Sequence, residues 1–308
     1  MAERNGLADV VVVIGLGLIG GSLAASVRAN GAAREVRGFD ADAATRERAL
    51  ARGLVDAAPA TLAQALDGAS VIVIAVPTLA VESVLAAVRD SAPANAVITD
   101  VASVKSSVLE AARKIFGELP SGLVPGHPIA GSERSGVEAA DSHLFRDHRV
   151  ILTPHEGSAA GAVTCVRNMW EQAGASVVCM DAAEHDRVLA LTSHLPHVLA
   201  FTLVNTLARQ DASEQIFGFA AGGFRDFTRI ASSDPVMWRD IAMANRTALL
   251  DALDVFSRGM TELRTAIDTA DGDALHAAFT AARAARERYL GMLAAGMHRP
   301  STLTGERT

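Results

Sequence analysis

Up to about residue 180 the chain alternates short apolar β-branched runs with longer segments of helical periodicity. Residues 10–14 form a continuous β-branched run, the pattern of a strand buried on both faces. Further strands are predicted over 35–39, over 71–76 where Pro77 stops the run, over 96–100 and, briefly, over 122–125. The last two fall at 149–152 and 176–179. Helices are predicted between them, over about 19–30, 43–52, 79–89, 104–116 and 159–172. Such alternation implies a parallel or mostly parallel sheet with helices on both faces. After Met180 the strands stop, and 182–209, 235–269 and 273–293 read as helices. Asp234 followed by Pro235 is a helix start, an acidic cap with proline at the first helical position. The expected organisation is an α/β dinucleotide-type domain over residues 1–181 and an all-helical domain over 182–308.

Two apolar stretches need a reading of their own. Residues 10–27 carry no charge, but Gly15, Gly17, Gly20 and Gly21 interrupt them and the preceding segment is poorly basic. That disfavours a signal peptide or a membrane span. Residues 188–207 contain His194, Pro196 and His197, which suits a buried helix lining a site.

Composition narrows the function. With 50% hydrophobic and 20% charged residues the chain is a folding one. Aromatics at 4% and a net charge of −7 argue against nucleic acid and anionic membrane as partners. An anionic ligand would need cations placed locally. Two cysteines, Cys165 and Cys179, exclude a disulfide framework and a four-cysteine zinc site, and a reducing, cytoplasmic setting is expected.

The first chemical motif is Gly15-Leu16-Gly17-Leu18-Ile19-Gly20, directly after a buried strand and opening a helix. Gly15 makes the tight turn, Gly17 admits a pyrophosphate to the backbone, and Gly20 lets helix and strand pack closely. The helix N-terminus supplies N–H groups to the anion. Asp40, at the end of the second strand, would accept hydrogen bonds from ribose hydroxyls and repel a 2′-phosphate, which favours NAD over NADP. Arg37 and Arg46 flank it. Val76, Pro77 and Ser103 are further candidates to line the cofactor.

Four other segments carry candidate chemistry. Ser103, in TDVASVK at a strand end, is either a site residue or the N-cap of the next helix. His127, in GHPIAGSERSG, is expected at a strand end in a Gly- and Pro-rich turn. His194 and His197 would share a helix face; two histidines without a third ligand are too few for a metal, so a substrate-facing patch is expected and no metal. Arg225 and Arg229, four apart, would share a helix face and could grip carboxylates, or pair with Asp226 or Asp234.

Taken together, GLGLIGGS, TDVASVKS, GHPIAGSERSG, SHLPH and GGFRDFTRIASSDPVMW resemble the prephenate/arogenate dehydrogenase family, in order, from about Val10 to Arg239. The resemblance implies an N-terminal Rossmann-like domain and an all-α C-terminal dimerisation domain, hence a homodimer. It implies NAD-dependent oxidative decarboxylation of prephenate or arogenate in tyrosine biosynthesis. His127 would then handle the ring hydroxyl, Ser103 support it and Arg229 bind a substrate carboxylate. Ser132, Glu133, His194 and His197 would border the pocket with Arg225. The rival readings are a 3-hydroxyacid dehydrogenase or imine reductase, and a non-catalytic NAD-sensing protein. The former commonly place a lysine in the helical domain, whereas this chain has none after Lys114.

Overall fold

The computed structural model describes residues 8–131 and 134–295. By internal packing the chain divides into two units, residues 1–249 and 250–308. The break does not coincide with the point near residue 181 where the strands stop.

The first unit holds a four-stranded parallel sheet in the order β2-β1-β3-β4, with β1 Ala8–Ile14, β2 Ala33–Phe39, β3 Val71–Ile74 and β4 Val97–Asp100. Alternation along the strands explains why it is covered twice. Val11 and Val13 of β1 and Val71 and Val73 of β3 join one core with Leu23, Val166 and Trp170. Val10, Val12, Ile14, Ile72 and Ile74 join the other, with Leu85, Val108 and Leu109. The first core is closed by α1 Leu18–Ala29 and α6 Ala160–Gln172, the second by α4 Val81–Ser91 and α5 Lys105–Phe116. Each buried Val or Leu contributes roughly 1.5–3 kcal/mol of transfer free energy, so the uninterrupted β-branched runs are what double coverage demands. Helices α2 Ala43–Ala51 and α3 Leu62–Leu66 complete this part. The short α3, built on a Thr61–Gln64 capping box, was not foreseen in the sequence.

The second sheet departs from expectation. Residues 122–125 were predicted as a strand, but only a parallel bridge between Leu123 and Ile98 forms there. The strand lies later, as β5 Gly126–Ile129, antiparallel to β6 Arg149–Leu152; β6 pairs in parallel with β7 Ser176–Cys179. His127 is therefore inside a strand, opposite Ile151, rather than in a turn after one. Pro128 is tolerated because β5 is the edge of this sheet. Cys179, at the end of β7, is exposed.

The predicted helix over 182–209 is interrupted. Helix α7 Ala182–Leu189 passes through a π-turn, Ala190–His194, into α8 Leu195–Ala208. Pro196 accounts for the widened turn, since a proline inside an α-helix loses its N–H and clashes with the carbonyl four residues back. The whole run is long and apolar enough to cross a membrane by length and composition. It nevertheless buries His185, Asp186 and His194 within the protein. Short helices α9 Ser213–Gly218 and α10 Gly222–Thr228 precede a 3-10 turn, Arg229–Ser232. The helix predicted over 235–269 breaks at Asn245 into α11 Pro235–Ala244 and α12 Arg246–Asp268. Asp234 caps α11, accepting from the N–H groups of Val236 and Met237 at 2.7 and 2.9 Å. The second unit comprises the rest of α12 and α13 Gly272–Ala294, a helix without one buried residue.

Candidate active site

The sheet order places its reversal between β1 and β3, where open α/β sheets bind ligands. At that crevice Gly15 adopts φ +96°, and a Cβ on it would come within 2.4 Å of the Ala75 carbonyl oxygen. A Cβ on Gly20 would lie 1.9 Å from the Gly15 oxygen. The turn thus folds against the end of β3 with no space for side chains. Gly17, by contrast, would meet nothing within 4 Å, and α1 has no side-chain cap at its N-terminus. Its N–H groups are left for an anion. Leu16 buries its side chain in the core and donates its N–H to Asp40 Oδ2 at 2.9 Å. Leu18 and Ile19 are half-buried at the head of α1, as is Val76 beyond β3, while Pro77 is exposed. The arginines beside Asp40 are engaged: Arg37 donates to both oxygens of Glu35 at 2.9 Å, and Arg46 to the Asp40 carbonyl at 2.6 Å. A backbone cradle with a carboxylate at the end of β2 fits a dinucleotide.

One strand further along, Ile74 pairs with Asp100 at the end of β4, and here the site is made of side chains. Lys105 is fully buried and pairs with Asp100 Oδ2, while its Nζ also donates to the Gly126 carbonyl at 2.6 Å. Asp100 Oδ1 accepts the Gly126 N–H at 3.2 Å. The ion pair therefore holds Gly126, the residue before His127, by both its N–H and its carbonyl. Burial lowers the Lys105 pKa, opposed by the charges of Asp100 and Asp186. On the other side, α7 presents Asp186 to the start of α5. Its Oδ1 accepts the Lys105 N–H and its Oδ2 the Ser106 N–H, both at 2.8 Å. Asp186 is thus a remote cap for α5. Ser103, expected as the possible N-cap, does not cap it; that position falls on Val104, and Ser103 stands half-exposed one residue earlier.

Asp186 Oδ1 also meets His185 Nδ1 at 2.8 Å, and His185 Nε2 meets His127 Nδ1 at 2.9 Å, the rings edge to face at 5.1 Å. Burial drives the His127 pKa well below the ordinary histidine value, and the neighbouring charges of His185, Lys105 and His194 push the same way. His185 is lowered by burial against its bond to Asp186. Burial would raise the Asp186 carboxyl, but His185 and the α5 N–H groups bring it below the usual aspartate range. Both histidines are neutral near pH 7 and the carboxylate is ionised.

The break at Asn245 has a use. Its amide donates to the Asp186 carbonyl at 2.8 Å and lies 3.0 Å from His194 Nδ1. His194 is buried, which lowers its pKa to about 4. His197 stacks on Trp238 at 3.6 Å between centroids and bonds the Ser193 carbonyl through Nδ1 at 2.9 Å. The Trp238 Nε1–H is buried with no hydrogen-bond partner among the described residues. Arg229 is near enough for its charge to help lower His197, after burial and against the Ser193 bond. So His127, His194, His197 and Arg229 are brought into one neighbourhood. Arg225, on α10, is exposed and lies 3.6 Å from Asp226. Ser132 and Glu133 lie outside the described residues. Sequence reasoning missed Lys105, His185, Asp186, Asn245 and Trp238. The signal for two of them was a His-Asp pair at the head of an apolar helix. Among the described residues no group of 3 or more His, Cys, Asp or Glu could hold a metal ion.

This arrangement can take a proton at an unprotonated imidazole beside a nicotinamide-dinucleotide turn and hold an anion at Arg229. Residues 23–179 match the prephenate dehydrogenase nucleotide-binding domain, and 181–281 match the prephenate dehydrogenase dimerization domain. The cyclohexadienyl dehydrogenase of Zymomonas mobilis is 39% identical over 90% of this chain and 94% of its own. The prephenate dehydrogenase of Aquifex aeolicus, solved in complex with hydroxyphenyl propionate and NAD+, is 32% identical with a TM-score of 0.83, covering 91% of this chain and 98% of that one. Synechocystis arogenate dehydrogenase is 31% identical with a TM-score of 0.78, over 91% and 99%. With both halves matched in order, the chain belongs to the prephenate dehydrogenase family.

Proposed function

We propose that the chain oxidises and decarboxylates prephenate to 4-hydroxyphenylpyruvate, or arogenate to tyrosine, as a step of tyrosine biosynthesis. The observation that carries this is His127, held through Nδ1 by His185 and following the clamped Gly126 on β5, beside the end of β4. The substrate is a cyclohexadiene with a ring carboxylate and, para to it, a carbon bearing a hydroxyl. NAD+ bound at the turn accepts hydride from that carbon. His127 accepts the hydroxyl proton at its other ring nitrogen. Arg229 holds a substrate carboxylate, supplying locally the positive charge that a protein of net charge −7 lacks. Loss of the ring carboxylate as CO2 makes the ring aromatic, which drives the reaction. Ser103, half-exposed beside the clamp, supports His127, and Ser132, Glu133, His194 and His197 border the pocket. Residues 1–181 serve as the nucleotide domain and 182–308 as the substrate and dimerisation domain.

The chain acts as a cytoplasmic homodimer without membrane or nucleic-acid partners. Supporting this, α13 has no buried residue, and Val255, Met260, Phe279 and Tyr289 of the second unit are exposed. A helix so bare is marginal alone and gains stability from a second copy.

The test is NAD+ reduction followed by absorbance, with prephenate and then arogenate, repeated with NADP+. Turnover of either substrate supports the reading, and the ratio of kcat/KM values names the preferred one. A folded protein that binds NAD+ and turns over neither would overturn it.

A further inference from the structure

We propose that Asp186 and His185 are positioning residues that set the tautomer of His127, so that Nε2 of His127 is the bare nitrogen available to substrate. Asp186 is an acceptor at both oxygens, already facing two backbone N–H donors, Lys105 on Oδ1 and Ser106 on Oδ2. The contact between Asp186 Oδ1 and His185 Nδ1 at 2.8 Å therefore requires the proton on His185 Nδ1. A neutral His185 is then an acceptor at Nε2. Its 2.9 Å contact with His127 Nδ1 requires a proton there. A neutral His127 with Nδ1–H has no proton on Nε2. Two hydrogen-bond steps, carboxylate to ring and ring to ring, thus carry the orientation of a carboxylate at the start of α5 to the nitrogen that does chemistry. A carboxylate orients a catalytic histidine in the same way in serine hydrolases, with one imidazole fewer.

The arrangement also serves the step itself. As the substrate hydroxyl loses its proton, the O–H bond breaks and a bond to His127 Nε2 forms, leaving an imidazolium. That cation keeps its Nδ1–H on His185 Nε2, and the ionised Asp186 lies beyond to offset the charge. The nearby positive charge of Lys105 opposes the imidazolium, but Asp100 neutralises it within a buried pair. Replacing Asp186 with Asn would reverse the chain. With its NH2 at the Oδ1 position, opposed to the Lys105 N–H, the amide faces His185 as a donor, makes Nδ1 an acceptor, moves its proton to Nε2, and so forces the proton of His127 onto Nε2, where it blocks the base.

The proposal deepens the dehydrogenase reading and rests on it only for its kinetic readout. The experiment uses the full chain labelled with 15N-histidine and long-range proton–nitrogen spectra, assigned by the signals lost in His127→Gln and His185→Gln. The expected spectrum has His127 and His185 both protonated at Nδ1 and bare at Nε2. A wild-type His127 protonated at Nε2 overturns the proposal with no kinetics at all. In Asp186→Asn, folded by circular dichroism, the His127 proton should move to Nε2 and kcat should fall by about 10²–10⁴-fold, the range for losing a general base, with KM within about twofold. The same kinetic split is expected of His185→Gln. Unchanged kcat in both Asp186→Asn and His185→Gln overturns it. Should Asp186→Asn fail to fold, the wild-type spectrum and His185→Gln decide. If the wild-type protein turns over neither prephenate nor arogenate, the dehydrogenase reading fails while the spectrum still judges the tautomer.

Discussion

At the ends of β1 and β2 the cofactor turn is built from backbone and from missing side chains, whereas at the end of β4 and the start of β5 the site is built from buried side chains that carry charge or can acquire it. In the turn, function comes from shape: Gly15 and Gly20 let chain segments approach to distances that no Cβ permits. In the histidine site it comes from protonation states, because Lys105, Asp100, His127, His185 and Asp186 each need a partner of the right kind once removed from water. The first construction is sensitive to bulk and indifferent to pH. The second tolerates isosteric changes in bulk but responds to any change in the number of protons.

That contrast predicts two variants that fail in different ways. His127→Gln keeps similar bulk and removes the base, so kcat should fall by about 10³-fold, within the range for lost acid–base catalysis. KM and NAD+ affinity should stay within about twofold. Steady-state kinetics with NAD+ titrated calorimetrically would check this, and a residual kcat within tenfold of wild type would remove His127 from the chemistry. Gly20→Ala is the reverse. Its Cβ would meet the Gly15 carbonyl at 1.9 Å, backbone against backbone, so neither neighbour can rotate away. Overpacking of this kind costs about 1–3 kcal/mol. NAD+ binding should weaken and Tm should drop, with the pH dependence of turnover unaltered. A Gly20→Ala protein with wild-type NAD+ affinity would show that the close approach is dispensable.

The two constructions were also unequally legible. The turn and its carboxylate lie within residues 15–40, and each glycine's role follows from spacing between a strand and a helix, so the motif could be read whole. The histidine site joins Asp100, Lys105, His127, His185, Asp186, His194 and Asn245, drawn from distant parts of the chain. His127 was flagged for its place between Gly126 and Pro128, but its partners carried no local pattern. Lys105 sat in a quoted motif without a role, and a buried lysine is invisible until β4 and β5 are seen to meet. The two misread elements share a cause. Pro196 and Asn245 each interrupt an apolar helical pattern that continues on both sides, and periodicity alone reads straight through such breaks. The strand placed at 122–125 instead of Gly126–Ile129 is a register error in a short run where proline could mark either end.

Arg229→Ala sharpens the comparison from the substrate side. A charge-assisted hydrogen bond to a carboxylate contributes about 1.5–3 kcal/mol, so KM for prephenate should rise by roughly 10–100-fold while kcat changes much less. Arg225→Ala, at an exposed pair with Asp226, should leave KM within about twofold. If Arg225→Ala raises KM as much as Arg229→Ala, both guanidiniums reach the substrate in the working enzyme and the pocket closes further than the structure described here.

The smallest effect separates the two regions by pH rather than by mutation of the chemistry. His194 is held near a pKa of about 4 by burial, against 6.5 for an ordinary histidine. Above pH 6.5 it is neutral folded or unfolded and contributes no pH dependence. As pH falls from 6.5 towards 4 the unfolded chain takes a proton that the folded chain refuses, so stability is lost across that window, at most ~1.4 kcal/mol per pH unit for this one group. Below it, both states are protonated and the slope vanishes. His194→Gln keeps an acceptor for Asn245 and has nothing to titrate. Urea unfolding at pH 7 and pH 5 should therefore show a smaller loss of stability for His194→Gln than for wild type, by about 1–2 kcal/mol. Gly20→Ala should lower both values by the same amount, because a steric defect in the backbone turn binds no proton. Equal pH slopes for wild type and His194→Gln would mean that His194 is not held neutral, and the division between a shape-built cofactor turn and a proton-built histidine site would have to be redrawn at that residue.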